Sequence, residues 1–145
     1  MKNKLIGLDT NIFIYHFQNN PQFGQKAQKI FSQLTTNKTK AITSVITLTE
    51  LLSLKRSDEI ILELKNLMLE LPNMEIKDIS RDIAIEAARI RRTYGYRLPD
   101  SIQVATALAG KADMFITNDV KLQSFKEIKI VLLQNLPKYK RPPSL

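Results

Sequence analysis

Four acidic residues carry the chemistry this sequence is able to perform: Asp9 in "LDTN", Glu50 in "SVITLTELL", Asp100 in "LPDSIQVATAL" and Asp119 in "FITNDVKL". Asp9 follows the apolar run Leu5–Leu8, Asp119 follows "MFIT", and each of the two has Thr and Asn beside it. Carboxylates brought into one pocket repel, so either they take up protons or a hard cation joins them. The chain has no cysteine and a single histidine, His16, which excludes thiolate sites and multi-histidine sites. Oxygen donors alone suit Mg2+ or Mn2+, ions that keep several waters and accept phosphate oxygens as further ligands. A cation held this way lowers the pKa of a water and stabilises charge developing on a phosphate.

The flanking pattern says which elements would position these acids. Leu5–Leu8, Lys40–Thr43, "MEIKDI", "MFIT" and "IKIVLL" read as short buried strands. Between them lie amphipathic stretches with apolar residues at helical spacing: one after the first strand, then Gln22–Leu34, a helix capped by Ser44, one opened by Ser57 or Asp58 and closed by Pro72, one running from Ser80 to Gly95, and one begun by Pro99 and Asp100. A short helix is expected near Val120–Phe125. Strands that alternate with helices predict a three-layer α/β/α arrangement around a parallel sheet. In such sheets sites form beyond the carboxyl ends of the strands, where the strand order reverses, and Asp9 and Asp119 both stand at such ends. Glu50, on the helix after the second strand, and Asp100, at the start of the helix before "MFIT", are candidates for the same crevice.

Composition sets the outer limits. The 145 residues are 43% hydrophobic and 25% charged, ordinary for one folded domain. We expect a single domain over residues 1–136 and a basic, proline-rich tail over 137–145. No apolar run is long enough to span a bilayer and no signal segment opens the chain, which makes a cytoplasmic location the expectation. A net charge of +8 favours a polyanionic partner.

Taken together and in order, "LDTNIFIY", "SVITLTELL", "LPDSIQVATAL" and "FITNDVKL" resemble the PIN-domain ribonucleases, and most closely the VapC-type toxins of bacterial toxin–antitoxin pairs. The resemblance covers nearly the whole chain. It implies a five-stranded parallel sheet of order 3-2-1-4-5, Mg2+- or Mn2+-dependent hydrolysis of RNA, a homodimer, and inhibition by a cognate antitoxin protein. It implies that Asp9, Glu50, Asp100 and Asp119 are both the catalytic residues and the metal ligands, and that cleavage leaves a 5′-phosphate and a 3′-hydroxyl. Thr117 and Asn11, short and polar beside the acids, are expected to orient carboxylates or metal waters.

The same residues also have ordinary structural roles. Asp9, Asp100 and Asp119 suit helix starts, and Glu50 suits an exposed helix face. "RIRRTYGYR" places Arg89, Arg91, Arg92 and Arg97 around Tyr94 and Tyr96. Such arginines contact RNA phosphates and such tyrosines stack on unpaired bases, or else the segment is a solvated face. His16 reads as a partly buried or surface side chain rather than a base. Ile60, Ile61, Leu64 and Leu67 read as core, with part of that wide apolar arc left for a dimer. Three other functions compete: a PIN-like module that binds RNA or protein without catalysis, a housekeeping RNA-processing nuclease, and a receiver-like phosphoacceptor domain, which lacks a convincing lysine after the last strand.

Overall fold

A computed structural model describes residues 4–137 of the chain. Five strands alternate with helices in the order β1 (Lys4–Leu8), α1 (Thr10–Phe17), α2 (Gly24–Thr35), β2 (Thr39–Ser44), α3 (Ile46–Leu52), α4 (Asp58–Glu70), β3 (Met74–Lys77), α5 (Arg81–Tyr94), α6 (Leu98–Ala109), β4 (Met114–Thr117) and β5 (Lys129–Leu132), with short 3-10 turns at Val120–Ser124 and Leu133–Asn135. All pairings are parallel and the strand order is β3-β2-β1-β4-β5, as the resemblance implies. The order reverses at the β1–β4 pair, which places the crevice beyond the ends of these two strands, at Leu8 and Thr117.

Alternation along the strands builds one core on each face. Ile6, Leu8 and Ile116 join Ile12, Phe13, Ile30, Phe31 and Leu34 of α1 and α2. On the other face Phe115 packs with Ile83, Ala87 and Ile90 of α5 and with Val104, Ala105 and Ala107 of α6. α6 is buried from Asp100 to Ala107 on every side, because it lies between the sheet and α5. That close approach depends on Gly7. A Cβ there would stand 2.9 Å from the Cβ of Ala107 and 2.9 Å from a ring carbon of Phe115. Gly7→Ala is therefore expected to destabilise the fold by about 1–3 kcal/mol, read as a lower urea midpoint with an unchanged slope.

Helix ends follow local chemistry. Ser57 and Ser80 accept hydrogen bonds from Ile60 N and Ile83 N, and Gly95 ends α5 at φ +77°, a conformation that a Cβ disfavours. Three expectations need correction. Ser44 closes β2 instead of standing at the helix cap, although its hydroxyl still accepts from Ile46 N at 3.1 Å. The third strand stops at Lys77, short of Ile79, which is exposed. Ile60 and Leu67 are exposed, Ile61 and Leu64 only half-buried, and Met68 is the one buried residue of α4. α4 packs chiefly on the short α3 at the rim of the fold, so most of its apolar arc has nothing over it. Of the expected tail, residues 138–145 lie outside the described residues.

His16 is half-buried and stacks on Phe31, with ring centroids 4.3 Å apart. Burial lowers its pKa from the ordinary 6.5, so the fold favours the neutral ring. The sign follows from proton linkage: above 6.5 the residue has no effect, and as pH falls through 6.5 toward the depressed folded value the unfolded chain binds the proton first and stability drops. His16→Phe is expected to flatten the fall in Tm between about pH 7.5 and 5. An unchanged slope would show that other groups govern it.

Candidate active site

The β1–β4 ladder extends one residue past β1: Asp9 N donates to Ile116 O at 3.0 Å. This register sets Asp9 beside Thr117, whose hydroxyl donates to Asp9 Oδ2 at 2.7 Å and accepts from Asp119 N at 3.1 Å. One buried hydroxyl thus ties the first acid to the last. The other Asp9 oxygen accepts from Thr10 N at 2.8 Å, so Asp9 also caps α1. Asp119 Oδ1 accepts from Lys121 N at 3.0 Å and starts the 3-10 turn. Capping and clustering are compatible, because a cap fixes a carboxylate without using all its lone pairs.

Glu50 and Asp100 approach from α3 and α6. Thr10 Oγ1 donates to Glu50 Oε1 at 2.8 Å. Asp100, 7% exposed, is met by Arg97, with Nε 3.2 Å from Oδ2. Electrostatics registers the convergence. Burial, at 6% exposure, pushes Asp9 up from 3.8 to about 6; the Thr117 hydrogen bond pulls it back, the Asp100 charge adds to the rise, the Thr10 amide opposes it and the Glu50 charge adds again. The pKa of Arg97 is raised, first by its hydrogen bond and charge contact with Asp100 and then by the more distant Glu50 and Asp119. Asp9 and Arg97 between them sense all four acids.

Sequence reasoning missed the layer beneath. Gln103 is buried and donates from Nε2 to Thr10 Oγ1 at 3.0 Å and to Thr47 Oγ1 at 2.7 Å. Thr47 also lies 3.0 Å from the Thr10 hydroxyl and 2.8 Å from that of Thr43, which donates to Leu8 O at 2.9 Å. Thr10 spends its only proton on Glu50, so Gln103 is the donor that satisfies it from behind. The spacing held a signal: Gln103 is three residues after Asp100 and Thr47 three before Glu50, each pair on one helical face. Asn11, by contrast, is exposed and makes no hydrogen bond to the four acids among the described residues.

The arginine segment divides. Arg89 is engaged by Glu86 and by Glu127, the latter at 2.6 Å, and Arg91 donates to Tyr96 O at 3.2 Å. Arg92 is exposed, and only Arg97 reaches the acid crevice. Tyr96 is 7% exposed, so its ring is structural rather than an open stacking face.

Among the described residues no three His, Cys, Asp or Glu side chains are arranged to hold a metal ion directly. The donor set nonetheless fits a hard, hydrated cation: every candidate ligand is a carboxylate, Asp9 is buried with a raised pKa, and among the described residues Arg97 is the one cation paired with any of the four acids. A hydrated ion such as Mg2+ needs only one or two direct carboxylates, the others meeting its waters.

A parallel sheet covered on both faces, with Asp9 and Asp119 joined through Thr117 beside its β1–β4 switch point, defines an α/β domain with an acidic candidate site. Residues 6–129 match the PIN domain, and the chain belongs to that family of nucleases. No curated protein matches it in sequence. Among solved structures it is similar to a chain of the VapBC2 complex from Rickettsia felis bound to a promoter DNA fragment, at 20% identity and TM-score 0.70 over 88% of this chain and 98% of that one. It is also similar to a chain of a toxin–antitoxin complex from Klebsiella pneumoniae, at 25% identity and TM-score 0.67 over 90% and 98%. A third likeness is to DNA-bound VapBC from Salmonella typhimurium, at 22% identity and TM-score 0.68 over 91% and 99%.

Proposed function

We propose that this protein is a divalent-cation-dependent endoribonuclease acting as the toxin of a toxin–antitoxin pair. The observation that carries the reading is the Asp9–Thr117–Asp119 link at the β1–β4 switch point, with Glu50 and Asp100 close enough to raise the Asp9 pKa and with Arg97 paired to Asp100. Asp9, Glu50, Asp100 and Asp119 would hold Mg2+ or Mn2+. When bound, such an ion activates water as a nucleophile and offsets charge on the scissile phosphate. The protein's part is positional. Thr117 fixes one Asp9 oxygen and the α1 amide of Thr10 the other, so the carboxylate cannot rotate away. Thr10, backed by Gln103, does the same for Glu50. Arg97 neutralises Asp100 in the free site and is exposed enough to turn toward an incoming phosphate.

Partners fit the same reading. The exposed apolar residues Ile60, Leu62, Leu67 and Leu69 of α4 support a protein interface, for a cognate antitoxin or a homodimer partner. No helix among the described residues is long and apolar enough to cross a membrane, which accords with the proposed cytoplasmic site of action on RNA. We take residues 1–136 as the catalytic domain. The deciding experiment is cleavage of single-stranded RNA by the purified chain with EDTA, then with Mg2+ or Mn2+ restored. Metal-dependent cutting that Asp9→Asn abolishes supports the reading; RNA binding without cutting under all conditions leaves a binding module instead.

A further inference from the structure

A cavity of about 310 Å³ opens on the side of Asp100. It shares Asp100 with the acid site, and Lys121, on the 3-10 turn that Asp119 caps, stands in its wall. Tyr94 and Tyr96 line it as a nearly parallel pair, centroids 5.3 Å apart and planes 12° apart. The pair is held from several sides. Phe125 packs edge-on to both rings, Tyr94 OH donates to Glu127 at 2.9 Å, and Tyr96 OH lies 2.6 Å from Ser124 Oγ. Tyr96 is buried and backs Tyr94, which is only half-buried and keeps part of its ring open. Two cations complete the lining: Arg97, with a side chain 71% exposed, and Lys121, exposed and in no ion pair among the described residues.

An aromatic wall fixed before binding, two positive side chains and a hydroxyl, all adjoining a phosphate-cleaving crevice, match the needs of one nucleotide. The ring stacks on a base of any identity and the cations meet its phosphate. The cavity is at the small end of ligand pockets, room for a single base and not for a stacked duplex. A base must be splayed out of its helix to enter, which selects unpaired RNA. We propose that this pocket is a nucleotide subsite: Tyr94, backed by Tyr96, stacks on an unpaired base adjoining the cut, while Arg97 and Lys121 hold its phosphate. The subsite thereby helps to choose which RNA is cleaved. This inference rests on the RNA-cleavage reading of the neighbouring acids.

The test separates binding from cutting. Fluorescently labelled single-stranded oligoribonucleotides and their duplexes are titrated with the full chain in EDTA, and the ends produced in Mg2+ or Mn2+ are sequenced. Wild-type protein is expected to favour single strands. Tyr94→Leu should weaken that binding about tenfold and broaden the base preference beside the cut, whereas Tyr94→Phe should stay within about twofold of wild type. Lys121→Glu, a surface change that spares the fold, should weaken binding several-fold and reduce its salt dependence by about one phosphate contact. Unaltered binding by both Tyr94→Leu and Lys121→Glu, with unaltered cut positions, overturns the subsite while leaving the nuclease reading intact. Wild-type protein that never cuts, yet shows the expected binding pattern, removes the nuclease reading and supports the subsite as a place where RNA docks.

Discussion

Asp9→Asn is expected to lower metal-dependent hydrolysis at least about a hundredfold and, in the same protein, to raise the Tm of the metal-free fold at pH 7.5. Both effects come from one buried carboxylate. Its pKa rises from 3.8 to about 6, so the fold prefers it protonated. As pH climbs through that window the unfolded chain releases its proton first, and stability falls until Asp9 ionises in the fold as well; above about 6 the full penalty is present. Two units correspond to about 3 kcal/mol. Asn is nearly isosteric and cannot ionise, so it relieves most of that. Its amide also loses charge-assisted hydrogen bonding to Thr117 and Thr10, which leaves a net gain of about 1–2 kcal/mol, or a few degrees in Tm. The gain should vanish near pH 4. Saturating Mg2+ should stabilise wild type and not the variant, because a ligand that binds only the folded state adds stability by mass action. Calorimetry with EDTA and with Mg2+, at both pH values, checks all of this. A variant less stable than wild type in EDTA at pH 7.5 would show that Asp9 is chiefly a satisfied helix cap.

Gln103→Leu is expected to destabilise the protein by about 2–4 kcal/mol and to slow hydrolysis about tenfold to a hundredfold. Leu matches the volume but donates nothing. Thr10 and Thr47 then lose a buried donor, and Ser44 N loses its 3.4 Å contact with Gln103 Oε1. Thr10 becomes free to turn its hydroxyl away from Glu50, so kcat should fall with KM nearly unchanged. Gln103→Glu should be worse at neutral pH, since a carboxylate cannot donate to Thr10 and adds charge beside Glu50. Urea unfolding paired with steady-state cleavage measures both effects. Lost stability with an unchanged kcat would confine Gln103 to the core.

What was legible in the sequence, and what was not, divides on the range of the interaction. Apolar runs of strand length between amphipathic stretches require a sheet covered on both faces, and serines and glycines marked helix ends because capping is decided within one turn. Asp9 and Asp119 stood out as candidates because the chain turns polar there, just past buried strands. The adjacency of β1 and β4 was not: it depends on how crossovers fold back over more than a hundred residues, and only the resemblance to PIN-domain ribonucleases suggested it. Periodicity announced an apolar face on α4 but not that its neighbours leave Ile60 and Leu67 uncovered.

The site shows the same limit at finer scale. Thr117 stood out beside Asp119, whereas Thr10, Thr47 and Gln103 looked like ordinary helix residues until three helices met behind Glu50. Arg89 looked like a free cation in "RIRRTYGYR" until Glu127, 38 residues on, came to face it. By itself the sequence determined the residue types available and the local elements that carry them, since those follow from side-chain chemistry and backbone geometry over a few residues. Tertiary structure alone decided that Thr117 links Asp9 to Asp119, that Asp9 is buried and pushed toward neutrality, and that Arg97 pairs with Asp100, because burial and proximity are properties of the packed chain.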